Sequence, residues 1–350
     1  MPSSASVLVT GGCGFMGSHF VRHLYHTYPH YRIINLDLLT YAGNPDNLRD
    51  VEIQEAALPP DKRRYVFVHG DICDETLLDK VFIKYPIAIL AHFAAETHVD
   101  RSLSSVSDFI RTNVEGTRTL LEAARRYAVP HTVHISTDEV YGNMPEGFSY
   151  EDTLLNPSNP YSTSKAAGDM LARTYQKVYD LPVSVVRSGN NYGSHQYPEK
   201  LIPLTITNLL EGRPIPVHGT GEHVRSWVSV EDFSRAVDVI AHSSHAPDVY
   251  NIEGEYRTNL EIIALVARHL GKNHEHHLVF VNDRPNADLR YAPFGEKLRQ
   301  KLGWKRRHSV DTAIGDVVDW YLANNEWWKA LKAKKEYKEQ YEKQSKAQWY

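Results

Sequence analysis

Thr10-Gly11-Gly12-Cys13-Gly14-Phe15-Met16-Gly17 follows the apolar run Ser6-Val7-Leu8-Val9 and opens an amphipathic stretch that continues to Tyr28. Strand, glycine-rich turn and helix in that order make a nucleotide cradle. The glycines allow a tight turn and let the backbone approach a pyrophosphate closely. The start of the helix offers free N–H groups and a partial positive charge to the phosphates. The next apolar run ends at Asp37, where a carboxylate meets the adenosine ribose. Its charge repels a 2′-phosphate, so NAD is expected rather than NADP.

Outward from that turn, short apolar runs alternate with helical patterns. Strands are expected at 6–10, 32–37, 65–69, 88–93, 131–136 and 183–188. Helices are expected near 14–28, 76–84, 107–127 and 162–179. Such alternation gives an α/β fold, a doubly wound, Rossmann-like parallel sheet with ligands at the carboxyl ends of its strands. After Gly189 the pattern loosens into Pro- and Gly-rich connections. Residues 1–189 therefore read as the NAD-binding domain, with short returns near 229–241 and 249–253. Residues 190–350 read as a smaller, mainly substrate-binding lobe and C-terminal helices. The lysine-rich tail from Glu326 reads as a docked helix whose far end is solvated, because its apolar face fades after Leu331.

The composition excludes several functions. Hydrophobic residues make up 42% and charged residues 23%, and the net charge is −4, so neither nucleic acid nor an anionic membrane is expected as partner. No apolar run approaches the roughly 20 residues that cross a bilayer. The first strand starts at Ser6 with no basic stretch before it, so no leader is expected. Two cysteines, Cys13 and Cys73, both in cofactor-binding segments, favour a reducing, cytoplasmic location over a disulfide framework. His19, His23, His26 and His30 approach helical spacing, but no Asp, Glu or Cys completes a metal set, and no metal is expected.

Two further motifs carry chemistry. Tyr161 and Lys165 stand one helical turn apart after Pro160, so they share a face. Lowering a tyrosine from about 10 to near 7 takes about 4 kcal/mol. An ammonium at about 4 Å and an effective dielectric of about 20 supplies that order of energy. Thr137-Asp138-Glu139 ends the apolar strand upstream. Tyr-x-x-x-Lys alone suggests oxidation or reduction of an alcohol. An adjacent carboxyl pair suggests that something is also eliminated. As acid, Asp138 must hold a proton near neutrality, and burial beside Glu139 pushes it that way.

Further stretches include Leu39-Thr40-Tyr41-Ala42-Gly43-Asn44, Gly70-Asp71-Ile72-Cys73-Asp74, His92-Phe93-Ala94-Ala95-Glu96-Thr97-His98-Val99-Asp100, Asn190-Asn191-Tyr192-Gly193, Pro198-Glu199-Lys200-Leu201-Ile202-Pro203, Arg225-Ser226-Trp227 and Asp283-Arg284-Pro285. With the motifs above, the chain resembles the extended short-chain dehydrogenase/reductases, and most closely their dTDP-glucose 4,6-dehydratase branch, over nearly its whole length. The resemblance implies that Tyr161, assisted by Thr137, takes the 4-hydroxyl proton of a hexose while hydride passes to a tightly held NAD. Glu139 then removes the C5 proton, Asp138 protonates the departing 6-hydroxyl, and hydride returns to C6.

On the cofactor side the resemblance implies Gly11, Gly14, Phe15, Met16, Gly17, Asp37, Leu38, Thr40, Asp71, Ile72, Ala94, Thr112, Tyr161, Lys165 and Asn191. On the side of the nucleoside-diphosphate hexose it implies Thr97, Thr137, Asn190, Lys200, Leu201, Pro216, His218, Arg225, Asn259, Asp283 and Arg284. Two departures bear on the base. His218 stands where the branch usually has Tyr, and Asn286-Ala287 replaces a usual Gly-His, so dTDP is the first choice and UDP the second. A homodimer is also implied, pairing helices near 107–127 and 162–179 from each chain into a four-helix bundle. A related epimerase would share all but the work of the carboxyl pair.

Overall fold

The structure, a computed structural model, describes residues 5–243 and 247–349. Its strands are β1 Ser6–Thr10, β2 Arg32–Asp37, β3 Tyr65–His69, β4 Ile87–His92, β5 His131–Thr137, β6 Val183–Ser188, β7 Asn190–Tyr192, β8 Ile215–His218, β9 Val224–Ser229, β10 Val249–Ile252, β11 Glu255–Thr258 and β12 Leu278–Val281. Its helices are α1 Phe15–Thr27, α2 Arg49–Ala56, α3 Glu75–Lys84, α4 Val99–Ser104, α5 Val106–Ile110, α6 Thr117–Arg126, α7 Pro160–Tyr179, α8 Leu201–Glu211, α9 Val230–Ala241, α10 Asn259–His269, α11 Glu296–Leu302, α12 Val310–Ala323, α13 Asn325–Ala333 and α14 Lys335–Ser345.

Continuous apolar runs such as Val7-Leu8-Val9 are buried on both faces, as a parallel sheet covered by helices requires. Seven strands pair in parallel in the order β10-β6-β5-β4-β1-β2-β3, a Rossmann-like sheet. Phe20 and Leu24 of α1 and Phe233 and Val237 of α9 pack on one face. Leu78 and Phe82 of α3, Leu120 of α6 and Ala172 of α7 pack on the other. Strand order reverses between β1 and β4, which opens a crevice at their carboxyl ends. Two smaller sheets, β11-β9-β7 and β12-β8, carry the chain over that crevice, and a third core joins β8, α8, α10 and α12.

The expected strands lie within a residue of their observed limits. The expected 107–127 helix does not run unbroken. Arg111–Gly116 is a π-helical segment between α5 and α6, a local widening that frequently marks functional sites. The tail also differs from expectation. Tyr337, Gln340, Gln344 and Trp349 are buried. The Lys332 ammonium bonds Thr207, Asn208 and Glu211 at 3.1, 3.0 and 2.6 Å. Aromatic residues spaced along a lysine-rich segment make a narrow buried stripe that average polarity conceals. No helix among the described residues is long and apolar enough to cross a membrane.

Candidate active site

β1 ends at the glycine turn, and Gly11 there has φ +71°; a Cβ on it would lie 2.6 Å from the Ala94 nitrogen after β4. Only glycine lets the two strand ends meet so closely. Gly14 caps α1 with no side-chain bond to the first N–H groups, and a Cβ there would meet only the Gly11 oxygen, at 3.2 Å. The free end of the helix therefore faces open space. Asp37, at the end of β2, accepts the backbone N–H of Cys13 and of Leu39, each at 2.8 Å. Asn191 is buried, and its Oδ1 has no partner within the chain. Helix N–H groups, a carboxylate and an orphaned acceptor along one crevice fit a dinucleotide.

All fifteen cofactor-side residues line one cavity, together with Thr137, Asp138 and Glu139. All eleven substrate-side residues except Thr137 line a second, which shares Thr97, Glu139, Asn190, Glu199 and Lys200 with the first. A larger cleft of about 1250 Å³ lies behind α1, remote from Tyr161. Two of the first-helix histidines lining it are held by the fold: His19 Nε2 meets the Ser194 carbonyl at 3.0 Å, and His23 Nε2 meets Asp238 at 2.7 Å.

Asn159 caps α7 by accepting the Ser162 N–H, the Ser162 hydroxyl answers the Asn159 backbone, and Pro160 sits at the first position. That cap sets Tyr161 and Lys165 on the buried face of α7. Lys165 Nζ donates to the Ile135 carbonyl at 2.6 Å, and burial lowers its pKa to about 8 against the pull of Asp169. The Tyr161 phenol is pushed up, by burial, Glu139 and Asp138, while the Thr137 hydroxyl opposes. No group of the chain alone offsets that rise at the phenol. Burial is the larger cause, and the carboxyl pair in the same pocket adds to it.

At the end of β5 the backbone turns into a short 3₁₀ segment, Asp138–Tyr141, whose Glu139 N–H donates to the Thr137 hydroxyl at 3.2 Å. Asp138 is 2% exposed and its Oδ2 has no partner. Burial and Glu139 raise its pKa well above the carboxylate range. Glu139 is also raised by burial, but Arg225, Arg284 and Lys200 pull it back. Burial thus raises both neighbouring carboxyls, Asp138 the more strongly, while three cations oppose the rise at Glu139.

Arg225 and Arg284 line the second cavity, each already tethered: Arg225 to the Val224 and Asp288 carbonyls, both at 2.9 Å, and Arg284 to the buried Asp100 carboxylate. Asn286 adopts the left-handed region at φ +53°, which explains how Asn replaces the usual glycine there.

Sequence reasoning missed several neighbours. The Tyr291 hydroxyl donates to Asp288 at 2.7 Å and lies 3.4 Å from Glu139 Oε2, under the Arg225 guanidinium. Asn113, on the π segment, bonds the Glu96 carbonyl at 2.9 Å and Ser164 at 2.8 Å, tying the β4 loop to α7. Glu199 is buried against Arg101. It sat within a quoted motif, whereas Asn113 and Tyr291 carry no local signal.

A Rossmann-like sheet with this cradle and a Tyr-x-x-x-Lys face defines a short-chain dehydrogenase/reductase, of the extended kind. The family model described as GDP-mannose 4,6 dehydratase matches residues 8–317. The chain is 44% identical over 332 residues to a dTDP-glucose 4,6-dehydratase of Streptomyces niveus, covering 93% of this chain and 96% of that one. The Escherichia coli enzyme of the same name is 40% identical over 355 residues, with the same coverages. Among solved structures, the dTDP-glucose 4,6-dehydratase DesIV of Streptomyces venezuelae, with NAD bound, superimposes with a TM-score of 0.88 at 42% identity, covering 93% of this chain and 99% of that one. The chain belongs to the dTDP-glucose 4,6-dehydratase family.

Proposed function

We propose that this chain is an NAD-dependent hydro-lyase that converts a nucleoside-diphosphate hexose, dTDP-glucose first and UDP-glucose second, to its 4-keto-6-deoxy sugar. The observation that carries the reading is the buried, proton-favouring Asp138 beside Glu139 in the cavity that also holds Tyr161 and Lys165. When bound, NAD would supply a hydride acceptor and donor, and a positive charge beside a phenol whose pKa the chain alone pushes up. Tyr161, with Thr137, takes the 4-hydroxyl proton, and the Lys165 ammonium, held by the Ile135 carbonyl, adds positive charge on the same helix face. A ketone at C4 acidifies C5, where Glu139 is the base, drawn toward its ionised form by three cations. Asp138 gives its proton to the 6-hydroxyl, which leaves as water; C6 then takes hydride back while Glu139 returns a proton to C5. Each acid–base contribution is worth about 10²–10⁴-fold.

Residues 1–189, with the returns near 229–241 and 249–253, serve the cofactor, and the remainder serves the sugar nucleotide. Arg225 and Arg284 hold the diphosphate through the free parts of their guanidinium groups. A cytoplasmic location agrees with the free Cys13 and Cys73 thiols. A homodimer through a four-helix bundle agrees with exposed Val106 and Ile110 on α5 and Met170 and Val178 on α7.

Incubation with dTDP-, UDP-, GDP- and CDP-hexoses tests the activity. Mass spectrometry should find loss of one water, and base treatment should reveal the absorbance of a 4-keto sugar. Because the redox steps cancel, turnover should proceed without stoichiometric consumption of added NAD. Epimerised product at unchanged mass would favour the epimerase instead.

A further inference from the structure

The far end of the second cavity is closed by α14 and the residues after it. Gln344, 6% exposed, lines this cavity with Arg225, Asp283 and Arg284. Trp349, 8% exposed, donates its indole N–H to the Asp283 carbonyl at 2.9 Å. Its ring meets His218 edge-on, with centroids 4.9 Å apart. The Tyr341 hydroxyl donates to the Pro214 carbonyl at 3.2 Å, pinning α14 to the approach to β8. Together with the buried Lys332, these contacts make the tail a built wall rather than a loose appendage.

Two polar atoms on this wall lack partners within the chain, Oε1 of Gln344 and Nε2 of His218. Buried polar atoms are ordinarily paired, so a ligand carrying matching groups is the natural complement. Burial and Arg284 lower the His218 pKa to about 4, so its imidazole is neutral and can offer a donor or an acceptor. The family model stops at residue 317, so Gln344 and Trp349 come from chain beyond the part it matches.

We propose that Gln344, braced by Trp349, recognises the nucleobase: its side-chain amide pairs with the imide edge of a uracil or thymine, with His218 making a further bond. The proposal rests on the dehydratase reading, because a diphosphate on Arg225 and Arg284 is what brings a base to this end. An amide presents one acceptor beside one donor, and the imide edge presents the complementary pair. Trp349 fixes Asp283 and His218 on either side, so removing it loosens both.

The test is calorimetric titration with dTDP, UDP and ADP, and steady-state kinetics with the corresponding glucose conjugates, on the wild type, Gln344→Ala and Trp349→Ala. Gln344→Ala should weaken dTDP and UDP binding about tenfold, as loss of a paired buried hydrogen bond does. The defect should appear in KM rather than kcat, and ADP binding should stay where it was. The variant should stay folded with only a small fall in melting temperature, from lost packing, because the amide oxygen removed bonds nothing in the chain. Trp349→Ala should shift binding the same way; if it unfolds the tail, Gln344→Ala decides. A folded Gln344→Ala that binds dTDP and UDP like the wild type overturns the proposal. A wild type that binds these nucleotides yet releases no 4-keto sugar overturns the dehydratase reading instead, and the binding arm still judges Gln344.

Discussion

Asp138 and Glu139 are adjacent in sequence and share one cavity, yet Asp138 points a partnerless carboxyl oxygen into buried space while Glu139 lies within the field of Arg225, Arg284 and Lys200. Two adjacent carboxyls are therefore raised to different extents by environment rather than by residue type.

Substituting each carboxyl separately should divide the reaction. Glu139→Gln should lose water elimination by about 10²–10⁴-fold while oxidation at C4 continues. Reduced-nicotinamide absorbance should then build up on addition of the sugar nucleotide, without a 4-keto-6-deoxy product. Asp138→Asn should also stall elimination. Equal loss of C4 oxidation in both variants would remove the assignment.

The same burial sets a pH dependence of stability. Asp138 binds its proton more tightly folded than unfolded, so unfolding releases a proton once the pH exceeds the unfolded carboxylate value of about 3.9. Its contribution is fully present below that value and is lost as pH rises toward the raised folded pKa. Asp138→Asn should therefore melt higher than wild type near neutrality, with the difference shrinking toward pH 4. Scanning calorimetry across that range reads the outcome; a constant difference would contradict the burial argument.

Beneath the site, the fully buried Arg187 makes two bonds of 2.8 Å to the Asp169 carboxylate and a third to the Tyr141 hydroxyl, which in turn donates to Asn251. Asp169→Ala leaves that guanidinium buried without its counter-ion and should cost about 3–5 kcal/mol. Denaturant unfolding measures it, and a matched Asp169→Leu, Arg187→Met pair should recover most of the loss. A cost below about 1 kcal/mol would mean that water reaches the pair.

The proposed dimer makes its own demand. Ile110→Glu with Met170→Glu places charge on the exposed apolar faces of α5 and α7. In sedimentation the wild type should run as a dimer and the double variant as a monomer. An unchanged sedimentation coefficient would move the interface elsewhere.

The sequence by itself determined the sheet, its cradle and the placing of Tyr161, Lys165 and the Thr137–Glu139 triplet, because each rests on local rules. Buried parallel strands need unbroken apolar runs, a phosphate turn needs glycine, and a helix turn puts i and i+4 on one face. Only the tertiary structure decided what surrounds those groups. Tyr291 reaches Glu139 from 152 positions away in the chain, and Asn113 reaches Ser164 across 51. The upward push on Tyr161, the unequal fields on the two carboxyls and the burial of Gln344 and Trp349 have the same origin. Each depends on which distant segments exclude water from a pocket, and no short window of residues encodes that exclusion.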